Sequence, residues 1–136
     1  AENELPVAEH LEDLRWCDTL IFIYPTWWFG LPAMLKGWLD RVFVPHATFT
    51  MPTAETPMGG QLHHIKTMAG ITTCGARWWQ SKVIGEPGRK TILRGIRFLV
   101  NPRCKTRYTA LYKIDSSTQH DRERYVAKVT SMVARL

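Results

Sequence analysis

The chain has no cysteines at C-x-x-C spacing, and its three cysteines, Cys17, Cys74 and Cys104, stand far apart. That leaves neither a cysteine zinc site nor an even disulfide framework, and it fits a protein of the reducing cytoplasm. No apolar run reaches the length of about 20 residues that a bilayer crossing takes, so no transmembrane segment is expected. The opening "AENELPVAEH" lacks the basic start and apolar centre of a secretory signal. No glycine-rich phosphate loop of the G-x-G-x-x-G or G-x-x-x-x-G-K-[ST] kind occurs anywhere. Acidic residues are missing from the stretch that holds Arg89, Lys90, Arg94, Arg97, Arg103, Lys105 and Arg107, although the net charge is only +6. Such a run can attract nucleotide phosphates, nucleic acid or an acidic partner. No nucleic-acid motif accompanies it, so a solvated helix face and loop is the simpler account and no nucleic-acid partner is assigned.

What is present reads as one globular unit. With 136 residues, 45% of them apolar and 22% charged, the chain has the size and balance of a single domain. Val7, Leu11 and Leu14 recur at helical spacing, and "TLIFIY" (19–24) comes next as a short buried-strand run. Leu31, Leu35, Trp38, Leu39, Val42 and Phe43 fall on one face of a helical period, with Pro32 where a first turn tolerates it. Residues 44–62 hold three prolines and a glycine pair without a period, which marks a long loop. "IKTMAGITT" resumes a strand; Ile92, Leu93, Ile96, Leu99 and Val100 describe a helix; "RYTALYKI" (107–114) is a further strand. Tyr125, Val126, Val129, Met132, Val133 and Leu136 mark a terminal helix, which Thr118 and Asp121 are spaced to cap.

Helix and strand alternate, and the first two strands lack strict in-out alternation, which predicts an α/β domain whose parallel sheet is covered on both faces. In such domains ligands bind beyond the carboxyl ends of the strands. Two stretches fall there, "PTWWFG" and "TTCGARWW". A flat, apolar ring system with a polar edge needs aromatic walls and aimed backbone amides, and Pro25 to Gly30 can offer both through Trp27, Trp28 and Phe29. Core packing is the competing role for these aromatics, although three adjacent rings cannot all enter one core. Three strands make a small sheet with open edges, and the expectation is that residues 1–136 form one amino-terminally incomplete domain, with two strands, a helix and the phosphate loop lying upstream.

"YPTWWFGLPAMLKGWLDRVFVP" resembles the signature segment of the flavodoxin-like NAD(P)H:quinone oxidoreductase family, close to PLWWFxxPAxLKGWxDRVF, and "TTCGA" is similar to that family's Thr-Thr-Gly-Gly loop. The resemblance implies a flavodoxin-like doubly wound parallel sheet and a flavin, FAD or FMN. It implies NAD(P)H as hydride donor, a quinone or similar acceptor, and a homodimer. By residue, it implies that Pro25, Thr26, Trp27, Trp28 and Phe29 line the flavin ring, that Thr72, Thr73 and Gly75 approach its other edge, and that Trp28 and Phe29 border the substrate pocket. Two alternatives stand beside the enzyme: an ancillary subunit of a potassium-efflux system, with a membrane-protein partner, and a flavodoxin-like electron carrier. The basic charge argues against the carrier.

Some relatives carry a tyrosine and a histidine after the Thr-Thr-Gly-Gly loop that settle charge on the reduced flavin. Here Trp78 and Trp79 stand near the tyrosine's place and Glu86 near the histidine's, so that relay does not carry over and no catalytic residue is assigned. Trp78 and Trp79 are candidates to cover the substrate pocket or to pack beneath the loop. Cys74, where the family has glycine, reads as a small buried thiol. Adjacent His63 and His64 would point to opposite faces of a strand and make a poor chelate, so no metal is expected. His46 reads as a loop histidine.

Overall fold

A computed structural model describes residues 7–136. Three parallel strands form the sheet, in the order β1 (Thr19–Pro25), β4 (Thr67–Cys74), β5 (Lys105–Tyr112), while β2 (Phe49–Thr50) and β3 (Gly59–Gly60) make a small antiparallel ribbon within the long loop. Helix α1 (Val7–Trp16) precedes β1 and α2 (Ala33–Val42) comes after it. Between β4 and β5 come α3 (Trp78–Ile84), α4 (Pro87–Lys90), a π turn (Thr91–Gly95) and a 3-10 turn (Ile96–Phe98). A 3-10 turn (Ile114–Ser116) and α5 (Gln119–Val133) close the described chain.

The core lies on one face of the sheet. Phe22 and Tyr24 of β1 and Met68 of β4 meet Leu14 of α1, Leu39 and Val42 of α2, and Ile92, Leu93 and Ile96 of the irregular segment. Each of these side chains is buried, and each contributes roughly 1.5–3 kcal/mol by leaving water. Trp38 fastens the α2 side of this core through edge-on contacts with His10, Phe22 and Phe43. The helix expected around Ile92 to Val100 therefore buries the face that its periodicity marks, but as π and 3-10 turns after a short α4.

On the opposite face, α5 covers β4 and β5. Tyr125 donates from its hydroxyl to the carbonyls of Thr72 (2.8 Å) and Thr109 (3.1 Å), tying the helix to both strands. Thr118 caps α5 as expected: its hydroxyl accepts from the Asp121 amide at 3.1 Å while its own amide donates to the Asp121 carboxylate at 2.9 Å. Coverage stops short of β1. Ile21 and Ile23 point to this second face and are 37% and 76% exposed. Among the described residues nothing packs over Ile23, and no strand pairs with the outer edge of β1.

Candidate functional site

β1 and β4 run in parallel register, with Tyr24 beside Thr72 and Pro25 beside Thr73, so both strands deliver their carboxyl ends to the same rim. The chain leaves β1 through a bond from the Thr26 amide to the Thr73 carbonyl at 2.7 Å and then reverses tightly. The Trp27 amide reaches the Gly30 carbonyl at 3.3 Å, and the Gly30 amide reaches the Trp27 carbonyl at 2.9 Å. The two residues between them, Trp28 and Phe29, hold φ angles of +48° and +62°. Positive φ at both central positions belongs to a I′-type reversal, normally filled by Asn and Gly; for bulky side chains it is strained. At this reversal Trp27 is 63% exposed and Trp28 94% exposed. Trp27 and Trp28 thus form a surface ledge rather than core, while Phe29 is half-buried.

This ledge is one wall of a cleft of about 500 Å3. Pro25 to Phe29 form that wall, Thr73 to Ala76 a second, and Ile114 and Asp115 a third. Asp115 reaches the cleft because β5 lies in register with β4, and because the Lys113 amide bonds the Ala76 carbonyl at 3.1 Å. A side chain at position 75 would meet the Asp115 carboxylate oxygen 2.8 Å from its Cβ, so Gly75 leaves the room that Asp115 uses. Among the described residues, the amides of Trp28, Phe29, Gly75 and Ala76 donate no hydrogen bond within the chain. The cleft therefore combines aromatic surface with backbone N–H groups, on two of its lining segments, that make no hydrogen bond within the chain.

Behind the ledge lies a polar network that the sequence did not reveal. Glu86, itself at φ +49°, accepts from Lys82 (2.7 Å), Arg89 (3.0 Å) and the Tyr112 hydroxyl (2.7 Å). Burial works to raise its carboxyl, but the hydrogen bonds from Lys82, Tyr112 and Arg89 together outweigh it and hold the group below the usual carboxylate range. The Arg89 guanidinium also sits 4.8 Å over the Tyr108 ring. Burial pushes the phenols of Tyr108 and Tyr112 well up, and that of Tyr24 to about 12. Glu86, Arg89, Tyr108 and Tyr112 line a space of about 10 Å3 that Thr26, Phe29 and Cys74 close from the cleft side. It is too small for a ligand.

Of the residues singled out in the sequence, Pro25, Thr26, Trp27, Trp28, Phe29, Thr73 and Gly75 come together around the cleft. Thr72 does not line it. Adjacent strand residues face opposite ways, and the Thr72 side chain is buried, sharing a 2.8 Å hydrogen bond with the Thr26 hydroxyl. Trp78 and Trp79 do not line it either: they open α3, 60% and 54% exposed, with the Lys82 ammonium 5.9 Å from the Trp78 ring centre. Cys74 is buried, its sulfur 3.6 Å from the Ser81 hydroxyl. His64 bonds the Leu14 carbonyl at 2.7 Å, and His46 lies in the long loop at φ +64°. Ala76, Ile114 and Asp115 also line the cleft without having been singled out as site residues in the sequence, and Asp115 is the charged one.

The model of the flavodoxin-2 family, described as a flavodoxin-like fold, matches residues 1–98. The chain belongs to that family. Within this flavodoxin-like family, a ribosyldihydronicotinamide dehydrogenase-like protein of Penicillium crustosum is 53% identical over 45 residues, 32% of this chain and 17% of that protein. NAD(P)H dehydrogenase (quinone) 1 of Rattus norvegicus is 41% identical over 70 residues, 52% of this chain and 24% of that protein. The solved NAD(P)H:quinone oxidoreductase from Methanothermobacter marburgensis superposes with a TM-score of 0.70 at 26% identity, covering 90% of this chain and 60% of that one. The matches thus span less than a quarter of the two curated relatives' lengths and about three fifths of the solved relative.

Proposed function

We propose that the cleft takes the ring system of a flavin, FMN or FAD, and that the protein is an oxidoreductase carrying electrons from NADH or NADPH to a quinone or similar acceptor. The observation that carries this reading is the Trp27–Gly30 reversal, in which two aromatic residues accept left-handed backbone and in doing so present both rings and free amides to one cleft. Backbone strain of this kind costs of order 1–3 kcal/mol per residue and persists where the surrounding structure holds it and a site uses it. The names of the rat and Methanothermobacter relatives, which couple NAD(P)H to quinone, support the same chemistry.

A bound flavin would supply the hydride and electron chemistry. The chain's own residues bind and orient. Trp27, Trp28 and Phe29 offer stacking surface, worth about 0.5–1.5 kcal/mol per aromatic contact beyond burial. The amides of Trp28 and Phe29 on one wall, and of Gly75 and Ala76 on the other, fix a ring's rotation in its plane by hydrogen bonding its polar edge. Thr72 acts from behind by holding the Thr26 hydroxyl. The Glu86 network fixes Tyr112 directly before the Lys113–Asp115 segment that makes the third wall.

Incubation of the full-length protein with FMN and with FAD, and then gel filtration, tests the proposal. Retained flavin absorbance, and NADH or NADPH oxidation that depends on added soluble quinone, is the expected result. No retained flavin with either compound, and no turnover, would overturn it.

A further inference from the structure

Among the described residues, Asp115 is the one charged side chain that lines the cleft. Its position is built rather than incidental. Lys113 takes a left-handed φ of +55°, the Lys113 amide is tied to the Ala76 carbonyl, and the 3-10 turn Ile114–Ser116 then directs the carboxylate back toward the Gly75 backbone. The close approach of Oδ2 to position 75 needs the absence of a Cβ there. No hydrogen bond or ion pair engages the Asp115 side chain among the described residues, so its charge is not neutralised by a neighbour. Lys82 and Arg89 are committed to Glu86 behind the ledge, and neither Lys113, two residues before Asp115, nor Arg77, next to Ala76, forms an ion pair with it.

We propose that Asp115 lowers the reduction potential of the flavin that the cleft binds, and so sets how readily the protein gives electrons to its acceptor. The inference rests on the flavin reading above. Taking up a hydride adds two electrons and one proton to a ring, which leaves it one negative charge richer. In a cleft of about 500 Å3 a ring lies within its own width of every wall, so the added charge is close to the carboxylate. Like charges at such a separation repel, and the indole and phenyl surface that lines the same cleft screens less than water does. The oxidised, neutral ring feels no such penalty. Asp115 therefore weakens binding of the reduced form relative to the oxidised one, which is the same statement as a lower potential. Because Asp115 is also open to solvent, the effect is moderate and falls as salt rises.

Asp115→Asn keeps the shape and removes the charge; Asp115→Glu keeps the charge. The readout is the midpoint potential of FMN or FAD bound to the full chain, by equilibration with a reference dye, beside the dissociation constant of the oxidised flavin. For Asp115→Asn the reduced form is expected to gain about tenfold in affinity over the oxidised one at low salt. For a two-electron couple that is a rise of about 30 mV. Asp115→Glu should stay near the wild type, and the gap between wild type and Asp115→Asn should narrow at high ionic strength. A purely structural role would change the affinity of both redox forms together and leave the potential where it was. An unchanged potential in Asp115→Asn, or a shift indifferent to salt, overturns the role of Asp115 while leaving flavin binding intact. A wild-type chain that binds neither flavin overturns the flavin reading and this inference with it.

Discussion

The hydroxyls of Thr26 and Thr72 lie 2.8 Å apart, so the residue that opens the aromatic reversal is clasped from behind by the central strand of the sheet. The Thr72 carbonyl is held in turn by the Tyr125 hydroxyl at 2.8 Å. One strand residue thus links the ledge on one side to the terminal helix on the other. Thr72→Val keeps the volume and removes the clasp, leaving the Thr26 hydroxyl short of a partner. The expected loss is about 1 kcal/mol. In a double-mutant cycle with Thr26→Val, measured by urea unfolding, the two losses should not add. Full additivity would show that the pair is not coupled.

Trp28 gives up conformational ease for display. A left-handed residue other than glycine costs roughly 1–2 kcal/mol, and at 94% exposure the indole gains little burial in return. Trp28→Gly relieves the strain but also loosens the unfolded chain, by about 0.4–1 kcal/mol. The melting temperature should therefore stay level or rise slightly. Flavin affinity should fall about tenfold with the lost stacking surface. A melting temperature that collapses while affinity per folded molecule holds would make Trp28 a packing residue.

Two glycines of opposite character test the packing. A Cβ at position 60 would stand 2.5 Å from the Leu99 Cα and 2.6 Å from its carbonyl oxygen, whereas one at position 37 meets nothing within 4 Å. Gly60→Ala should cost about 1–3 kcal/mol, because backbone must move. Gly37→Ala, in the middle of α2, should add about 0.5–1 kcal/mol. Urea midpoints shifting the same way in both variants would contradict this.

Glu86 predicts a pH signature. Its folded-state carboxyl titrates below the ordinary range, so its contribution is present above the unfolded carboxyl value, near pH 4.3, and is lost as pH falls through the lower folded value. Glu86→Gln should destabilise by about 1–2 kcal/mol at neutral pH. The gap to wild type should close as the solution is acidified through that window. A gap that is constant across the window would mean that the three hydrogen bonds do not depend on the charge.

Periodicity made much of this fold legible. The Leu31 to Phe43 stripe, the "TLIFIY" run and the Thr118–Asp121 box each reflect a local rule that packing did not override. α3 escaped because Trp78, Trp79, Val83 and Ile84 are 60%, 54%, 77% and 55% exposed, so its apolar residues trace no buried stripe. The third strand begins two residues earlier than its apolar pattern, at Lys105, because the Lys105 amide already bonds the Lys66 carbonyl at 2.8 Å. The ledge was readable because its aromatics are adjacent in sequence. Residue type does not say which side of a strand is which: strand alternation puts the Thr73 side chain at the cleft and the Thr72 side chain behind it. Asp115 comes from a different strand end, some forty residues downstream, and only the β4–β5 register joins it to the site. The carboxyl end of "RYTALYKI" is a strand end like the other two, and the same rule that picked out "PTWWFG" and "TTCGARWW" points to Asp115 when applied there.

The measurement that bears most directly on the account is a structure of the full chain crystallised with FMN or FAD. The ring is expected between the Trp27–Gly30 reversal and the Thr73–Ala76 segment, with its polar edge within hydrogen-bond distance of at least one free amide on each wall and Asp115 beside it. A flavin ring bound elsewhere on the molecule, or seated in the cleft without contact to Trp28 and Phe29, would contradict it.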